Sequence, residues 1–572
     1  MEPSDRDPWP TARGYLDERA VFVCRPGEER SQSNEGRFGK DRWEGRGGLF
    51  VSLTPPGATA NMIPVSGWFR SSGKIVSVLP VEPIVGFEGR KSVGPCWPSP
   101  CSSTTGLTGG ARRWIGCDGG KPAEKSRLRM HLVGIAGRGM SGLAQMLVQR
   151  GMRVTGSEQS SRPAVERLRR LGARIHAGHS PQGAQFLVYH PEVERDHPSR
   201  LAATRRGIDQ ASVGQWLGLM MRQSISLAVV GRRTASIASA MIGWTLTQAG
   251  LDPTVVLGAE VPQLGGWGRM GSGPHFVAEG IEGPGEIGPA SPRLALLLDV
   301  LEGGPGPRDE RRAAIRQFAR SVPSDGYVLA LQDNEIVAEA VSDLAPVVER
   351  ISIDRPSDWW GADLREDRGR YRFRAFHKGR FAVEVQLRVP GRRNVLGALA
   401  AVAACDRLSV PIQEIKQGLE EFTGLSRDFE SRGSYRGVTL VDDAGCDPVS
   451  VSETLTIARQ VFGARPIWAV ICTDEETRSV EAEAGYLTAL AMADHVLVTE
   501  GSQVGGRGAN TLVEALIASG VNACEAAGLD DVIRELDRNL EPGDVLVTLG
   551  AGDVGTIADA FIRRLSRDHQ GR

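Results

Sequence analysis

Residues 131–151 read HLVGIAGRGMSGLAQMLVQRG, and this stretch decides the fold class. A short apolar run breaks into glycines, and the residues that follow have the apolar spacing of a helix. A strand that turns through glycines into a helix is typical of a parallel, doubly wound sheet. Outward from this stretch, RVTGSE and FLVYHPEV read as further strands with helical segments between them. The sequence therefore predicts an α/β fold.

The same alternation of strands and helices begins again at SLAVVGRRTASIASAMIG and at GVTLVDDAG. It predicts three α/β domains, at residues 127–222, 223–424 and 425–572. Residues 1–126 differ, because they mix Gly, Pro, Arg and Ser with scattered Trp and show little hydrophobic periodicity. Such a segment buries too little apolar surface to offset its ordering entropy. We interpret it as disordered or as the product of a mis-called start codon, with the natural start near Met130; a regulatory tail is the functional alternative.

Composition excludes several classes of protein. A length of 572 residues predicts three to four domains. The 68 basic and 69 acidic residues leave a net charge of −1, which argues against a nucleic-acid binder or a basic membrane surface. The sequence has no apolar run of transmembrane length and no visible secretory signal. Its 8 cysteines form no CxxC pair and fit reduced thiols. We expect a cytoplasmic protein.

Lysine is scarce, and its distribution restricts the chemistry. Only seven of the 68 basic residues are lysines, and none lies between Lys125 and Lys378. A mechanism that requires a lysine from this long middle stretch is therefore excluded.

The first glycine turn is a candidate diphosphate site. Gly134, Gly137 and Gly139 follow a strand and open a helix, which directs backbone N–H groups and a helix N-terminus at an anion. Ala136 replaces the second glycine of the dinucleotide fingerprint, and Glu158 ends the next strand, where it suits a sugar hydroxyl. From these residues alone, a NAD site, a UDP-sugar site and a simple tight turn all remain open.

Longer motifs carry a resemblance to a known family. The turn continues as VTGSE and LRRLGARIHAGHS, and is followed in order by LAVVGRRTASIASAMIG, HFVAEGIEGP, VPGRRNVLGALAA, FTGLSRDF, VDDAGCDPVS and TLGAGDVG. From about residue 130 to 565 the chain resembles the Mur ligases, in particular the branch that joins L-alanine to UDP-N-acetylmuramate. The resemblance implies a three-domain architecture: a Rossmann-like UDP-binding domain, a P-loop-type central ATPase-like domain and a Rossmann-like C-terminal domain.

The resemblance also implies an activity and its site. ATP and Mg²⁺ would activate the carboxylate of UDP-N-acetylmuramate as an acyl phosphate, which the amine of L-alanine attacks in peptidoglycan precursor synthesis. The implied substrate-binding residues are Gly134, Gly137, Gly139, Met140, Ser141, Glu158 and His179. The implied nucleotide-binding residues are Gly231, Ser236, Asn394 and Asp442, and the implied metal ligands are Ser236 and Glu282. The implied catalytic residues are Glu282, Arg427 and Arg478.

The ATP loop departs from the family pattern. Where the family has Gly-Thr-His-Gly-Lys-Thr, the chain reads Gly-Arg-Arg-Thr-Ala-Ser from Gly231 to Ser236. Ala235 stands at the lysine, and Thr234 stands at the glycine needed for close backbone approach. Arg232 or Arg233 would have to supply the charge, although a guanidinium does not replace the point charge of lysine.

Other chemical positions are altered too. In the acidic metal motif, residues 280–284 keep only Glu282, and Gly303-Gly304 replace the downstream Asp-His. The adenine-side motif reads Arg393-Asn394…Gly397, which keeps one of three contacts. In the third domain, Cys446-Asp447-Pro448 replaces His-His-Pro, and residues 474–478 read DEETR in place of a basic segment.

These departures lead to a functional prediction. The motifs that build the fold remain, whereas residues that stabilise the transferred phosphoryl group are gone. We expect a Mur-ligase-fold protein that binds UDP-N-acetylmuramate or a related UDP-sugar, with impaired or lost catalysis and doubtful ATP and Mg²⁺ binding. One alternative is an active UDP-N-acetylmuramate–L-alanine ligase whose phosphate contacts come from Arg232 and Arg233; a less favoured one is a NAD-type oxidoreductase. We expect neither nucleic acid nor membrane as a partner.

Overall fold

A computed structural model describes four short segments near the N-terminus and most of the chain after residue 127. The described residues are 21–24, 50–53, 67–71, 74–78 and 128–567, except 160–162, 179, 182, 232, 281–290, 300–306, 345–347, 474–479, 501–507 and 551–553. The chain divides into two compact units, residues 1–93 and 94–572.

The N-terminal unit contains two antiparallel strand pairs. Strand β1 (Val21–Cys24) pairs with β2 (Phe50–Leu53), and β3 (Gly67–Ser71) pairs with β4 (Lys74–Val78). The sequence analysis did not anticipate these strands. For the rest of residues 1–126 the expected disorder lies outside the described residues and stays a prediction.

The first sheet of the larger unit is entirely parallel. Its strands are β5 (Arg129–Val133), β6 (Arg153–Ser157), β7 (Arg174–His176), β8 (Phe186–Tyr189) and β9 (Asp209–Ser212). Its helices are α1 (Met140–Gln149), α2 (Pro163–Leu171), α3 (Pro198–Arg205) and α4 (Val213–Met221). The strand order is β7-β6-β5-β8-β9, so the glycine turn after β5 lies where the strand order reverses. Ligands of open α/β sheets bind at such a point.

The central sheet has ten strands. They are β10 (Ile225–Val230), β11 (Thr254–Val261), β12 (Gly266–Arg269), β13 (His275–Glu279), β14 (Leu294–Leu297), β15 (Tyr327–Leu331), β16 (Val348–Ser352), β17 (Trp359–Asp367), β18 (Arg370–His377) and β19 (Arg380–Pro390). The helices are α5 (Arg233–Gln248), α6 (Arg308–Arg320), α7 (Glu335–Ala340), α8 (Arg392–Arg407) and α9 (Ile412–Glu421), with a 3-10 turn at Pro262–Leu264.

This sheet is mixed rather than purely parallel. Its order is β12-β11-β13-β10-β14-β15-β16-β17-β18-β19, and the strands from β11 to β17 run parallel. Strand β12 at one end and strands β18 and β19 at the other are antiparallel to their neighbours. In β18, buried and exposed residues alternate, which is typical of an antiparallel strand with one face towards the core.

The third sheet contains the last strands of the described chain. Its strands are β20 (Glu430–Tyr435), β21 (Val438–Asp443), β22 (Ile467–Thr473), β23 (His495–Glu500), β24 (Asn522–Ala526) and β25 (Val545–Leu549). Its helices are α10 (Pro448–Phe462), α11 (Val480–Leu490), α12 (Gly508–Ala518), α13 (Leu529–Asn539) and α14 (Val554–Arg567). The order is β20-β21-β25-β22-β23-β24, parallel except for β20. The three sheets match the predicted architecture; the exact domain boundaries stay predictions.

Glycines allow α1 of the first domain to pack closely on the central sheet. A Cβ on Gly142, in α1, would lie 2.6 Å from the carbonyl oxygen of Trp267, and one on Gly268, in β12, would lie 2.3 Å from that of Gly142. One apolar cluster also contains residues of both domains, such as Leu143 of α1 and Phe276 of β13. Such close packing fixes the position of α1 against the central sheet. The glycine turn before α1 is thereby held near the carboxyl end of β13.

In the part of the chain that the structure describes, no helix combines the length and apolar character needed to cross a bilayer.

Removal of residues 1–126 should leave the melting temperature of the remaining chain unchanged. Strand β5 begins at Arg129 and Leu128 packs against the apolar cluster, so the deletion must stop before residue 128. We expect calorimetry to give the same transition for residues 127–572 as for the full chain. Loss of soluble protein, or a melting temperature lower by more than a few degrees, would show that the N-terminal residues contribute to the core.

Candidate functional site

Three neighbouring strands of the central sheet end at one edge and bring polar residues together there. Strand β10 lies between β13 and β14, and all three are parallel. Gly231 follows β10, Glu279 is the last residue of β13, and Asp299 lies just after β14. The carboxyl edge of a parallel sheet is where α/β proteins bind ligands, and a turn from strand to helix there suits phosphate.

A carboxylate occupies the N-terminus of α5. The backbone N–H of Thr234 donates to Asp299 Oδ2 over 3.2 Å. Gly231 has φ +153°, and a Cβ there would lie 2.7 Å from Asp299 Oδ1. The positive end of a helix attracts an anion. In this chain the anion at that position is a side chain of the protein itself.

Ser236 and Glu279 form a buried pair beside this loop. Ser236 Oγ donates to Glu279 Oε1 over 2.6 Å, and the backbone N–H of Gly258 donates to Glu279 Oε2 over 2.8 Å. Arg138, from the first glycine turn, reaches the same carboxylate at 3.3 Å. Sequence reasoning missed Glu279 and selected Glu282, which lies outside the described residues. The position of Glu279 at the end of a buried strand was the available signal.

Among the described residues, the charges beside Ser236 and at the N-terminus of α5 are unfavourable for a magnesium nucleotide. Magnesium is usually bound through one or two carboxylates together with substrate phosphates. Within the described ranges, no group of three His, Cys, Asp or Glu side chains is suited to a metal. The guanidinium of Arg138 already places a positive charge on Glu279, and Asp299 places a negative charge where phosphate would lie. The positive charge of Arg138 opposes the binding of Mg²⁺, and the negative charge of Asp299 opposes the binding of phosphate.

Arg233, the first residue of α5, is held by acidic side chains of the third sheet. Its Nη2 atom donates to Asp443 Oδ1 over 2.9 Å and to Asp428 Oδ1 over 3.1 Å. Asp443 is fully buried, and burial raises its pKa while Arg233 works in the opposite direction. Arg233 is therefore a partner of a buried carboxylate.

Arg393, in the predicted adenine-side motif, belongs to the same group of charges. Its Nη1 atom donates to Glu453 Oε2 over 2.9 Å, and its Nη2 atom donates to Asp428. Burial lowers its pKa, but the carboxylates of Asp428, Asp443 and Glu453 outweigh burial and raise the pKa overall. The next residue, Asn394, donates through Nδ2 to the carbonyl of Pro390 over 2.6 Å.

Arg427 and Asp442 are brought together as an ion pair. Arg427 Nε donates to Asp442 Oδ2 over 2.9 Å, and Thr548 Oγ1 donates to Asp442 Oδ1 over 2.8 Å. Arg427 also donates through Nη2 to the carbonyl of Gly550 over 2.7 Å. Asp442 is fully buried. The expected nucleotide contact and the expected catalytic arginine thus stabilise each other inside the third domain.

The first glycine turn keeps features of an anion site. Gly139 has φ +69° and precedes α1, a conformation that suits glycine. Within the described part of the chain, the backbone N–H groups of Arg138 and Gly139 have no hydrogen-bond acceptor. Glu158 accepts from the N–H of Ala136 over 3.2 Å and so supports the turn.

Two further predicted substrate residues face the protein interior. Met140 is fully buried, and Ser141 is almost so, with its hydroxyl donating to the carbonyl of Gly137 over 3.1 Å. Gly134 closes the turn through its N–H, which donates to the carbonyl of Ser157 over 3.0 Å. These residues build the turn. The other predicted site residues, namely His179, Glu282, Arg478 and Arg232, lie outside the described residues.

Comparison with protein families gives two matches. Residues 129–225 match the family described as Mur ligase family, catalytic domain. Residues 429–552 match the family described as Mur ligase, glutamate ligase domain.

Individual proteins agree with these matches. The chain is 32% identical over 444 residues to a UDP-N-acetylmuramate–L-alanine ligase of Persephonella marina, with 75% of this chain and 95% of the relative covered. The corresponding ligase of a Sulfurihydrogenibium species is 31% identical over 449 residues, with 77% and 98% covered. Among solved structures, the UDP-N-acetylmuramate-alanine ligase of Thermotoga maritima aligns with a TM-score of 0.67 at 23% identity, covering 77% of this chain and all of that one. A murein peptide ligase of Psychrobacter arcticus aligns with a TM-score of 0.60 at 21% identity, covering 77% and 98%.

Substitution of Arg427 by Ala should destabilise the third domain. It leaves the buried carboxylate of Asp442 without its closest cation, which costs about 3 kcal/mol in the free energy of unfolding. Arg427→Lys should cost less, because it keeps the charge. Arg564→Ala is the control, since it removes an exposed partner of Asp537 and should cost under about 1 kcal/mol. Equal unfolding free energies for Arg427→Ala and the control, measured by urea denaturation, would exclude a structural role for Arg427.

Proposed function

Because the chain belongs to the Mur ligase family, we propose that it binds a UDP-linked sugar at the first glycine turn and has lost ATP-dependent ligation. The observation that carries this proposal is that charged groups of the ATP loop are paired with carboxylates of the chain itself. Its helix N-terminus is paired with Asp299, and Arg233 is paired with Asp443. The phosphates of a nucleotide would have to displace both carboxylates.

The UDP-sugar half of the proposal rests on the turn from Gly134 to Gly139. The unpaired N–H groups of Arg138 and Gly139, at the N-terminus of α1, suit a diphosphate. The ligand proposed is UDP-N-acetylmuramate or a related UDP-sugar, because the relatives at 31% and 32% identity are named as ligases of UDP-N-acetylmuramate. A cytoplasmic location would give access to such a precursor.

The proposed loss of ligation is supported by the charge and the position of the residues in the ATP loop. In phosphoryl transfer, preorganised cations stabilise the charge that develops in the transition state, and loss of one such donor costs about 10² to 10³ in rate. Here Ala235 stands at the lysine, so this position supplies no cation to a phosphate. The remaining cation of the loop that the structure describes, Arg233, is held by Asp443 and Asp428.

One observation favours an active ATP-dependent ligase that adds L-alanine. The hydroxyl of Ser236 and the carboxylate of Glu279 lie together, and both are oxygen ligands that Mg²⁺ accepts. Against this alternative, the guanidinium of Arg138 already lies 3.3 Å from Glu279 Oε1. A NAD-type oxidoreductase is disfavoured by the family membership.

UDP and UDP-N-acetylmuramate should bind to the unmodified protein in calorimetric titrations, and Gly139→Trp should abolish binding. A bulky side chain at φ +69° blocks approach to the N-terminus of α1. Gly151→Trp is the matched control, because Gly151 has φ +84° but lies beyond the other end of α1. No detectable heat from the unmodified protein at millimolar ligand would refute the UDP-sugar site. Equal binding by Gly139→Trp would refute its location.

ATP with Mg²⁺ should bind more weakly than millimolar, with no L-alanine-dependent release of phosphate. The combination Thr234→Gly with Ala235→Lys should improve nucleotide binding by restoring the cation and backbone access, and Asp299→Asn should improve it further by removing the competing anion. None of these changes should restore ligation, because Cys446 and Asp447 would still stand where the family has two histidines. Phosphate release by the unmodified protein that requires both L-alanine and UDP-N-acetylmuramate would establish the active alternative.

A further inference from the structure

A compact group of charges joins the central sheet to the third sheet. We call it the arginine clasp and define it by its five residues: Arg233, Arg393, Asp428, Asp443 and Glu453. Both arginines lie in the first turns of their helices, α5 and α8. The carboxylates lie in the segment before β20, at the end of β21 and on α10. The clasp therefore connects residues that are distant in the sequence, such as Arg233 and Asp443, which are 210 positions apart.

The acidic side of the clasp is organised by the third domain itself. Asp443 accepts hydrogen bonds from the N–H of Gly445 over 2.7 Å, from the N–H of Phe429 over 3.0 Å and from Thr454 Oγ1 over 2.9 Å. Its burial therefore does not depend on Arg233 alone. Much of the desolvation of Asp443 has therefore already occurred within the third domain. The desolvation cost that opposes its attraction to Arg233 is smaller than in an ion pair that loses its water only on contact.

The backbone next to the clasp is also unusual. Arg427 and Phe429 have φ +57° and +53°, so Asp428 lies between two residues in the left-handed region. Non-glycine residues adopt this region at a cost, and persist there when surrounding contacts impose it. The turn presents Asp428 to both arginines at once, with Arg233 Nη2 at 3.1 Å and Arg393 Nη2 also bonded to it.

Shape supports the same contact independently of charge. A Cβ on Gly391, directly before α8, would lie 2.7 Å from Ile457 Cδ1 on α10. A Cβ on Gly369, in the turn between β17 and β18, would lie 2.8 Å from Val461 Cγ2 on the same helix. Helix α10 thus packs directly against two glycines of the central domain. The two domains are in close contact where the clasp forms.

We infer that the arginine clasp holds the third domain on the central domain without a nucleotide. The clasp occupies the place that the family resemblance gives to ATP, since Arg233 lies in the ATP loop and Arg393 in the adenine-side motif. In joining the domains, the arginines take the role of the cation and the carboxylates take the role of the nucleotide.

Small-angle scattering by the full chain tests the clasp. The radius of gyration of the unmodified protein should be the same with and without ATP and Mg²⁺. The double variant Arg233→Gln with Arg393→Gln should have a larger radius, beyond the fitting error, because both cations are removed. Arg374→Gln is the control, since Arg374 forms an exposed pair with Glu384, and its radius should match that of the unmodified protein.

A charge exchange distinguishes opening of the two domains from loss of folding. Arg393→Glu alone should enlarge the molecule, and the addition of Glu453→Arg should return the radius towards the unmodified value, as expected for two residues in direct contact. An unchanged radius in the double glutamine variant, or no return after the charge exchange, would overturn the inference. Contraction of the unmodified protein on addition of ATP and Mg²⁺ would also overturn it. L-alanine-dependent phosphate release at an unchanged radius would refute the proposed loss of ligation and support the clasp.

Discussion

A carboxylate that is buried in a protein must be paired with cations or with several hydrogen-bond donors, and this requirement governs the candidate site. Asp442, Asp443 and Glu279 are all buried at the edges where ligands of parallel sheets bind. Each is satisfied by an arginine of the same chain, together with backbone N–H groups or hydroxyls. Arginine suits this task because its planar group donates in two directions at once. The buried carboxylates of the site are therefore paired within the chain, whereas Arg233 Nη1, Arg393 Nε and Asn394 Oδ1 are buried without a hydrogen-bond partner among the described residues.

Close backbone approach permits these pairings. Gly142 and Gly268 let α1 lie directly on the central sheet, which brings Arg138 to Glu279. Gly391 and Gly369 let α10 lie against the central domain, which brings Arg393 to Glu453. Larger side chains at these positions would separate the elements and the charges with them. The chain thus retains the packing of a three-domain ligase while its chemical groups interact with one another.

Sequence reasoning identified what is local and missed what depends on distant contacts. The turn at Gly134–Gly139 and the helix at Met140 were predicted because apolar spacing and glycines lie within a few residues of each other. The likeness of the motif order to the Mur ligases was confirmed by the comparisons. Glu279 was missed, since its pairing with Ser236 joins residues 43 positions apart. The antiparallel strands β18 and β19 were missed too, because the repeated strand–helix units favoured a purely parallel sheet. The roles assigned to the predicted site residues, including Glu282, His179 and Arg478, all stay predictions.

We propose that the chain's own charges fill the place of ATP and Mg²⁺. A crystal structure of the full chain, grown with a saturating, non-hydrolysable ATP analogue and Mg²⁺, tests it most directly. The account predicts that Asp299 remains on the N–H of Thr234 and that Arg233 remains on Asp443, with no phosphate density at the N-terminus of α5. Phosphate density at Thr234, with Asp299 displaced and Arg233 turned towards the nucleotide, would contradict it.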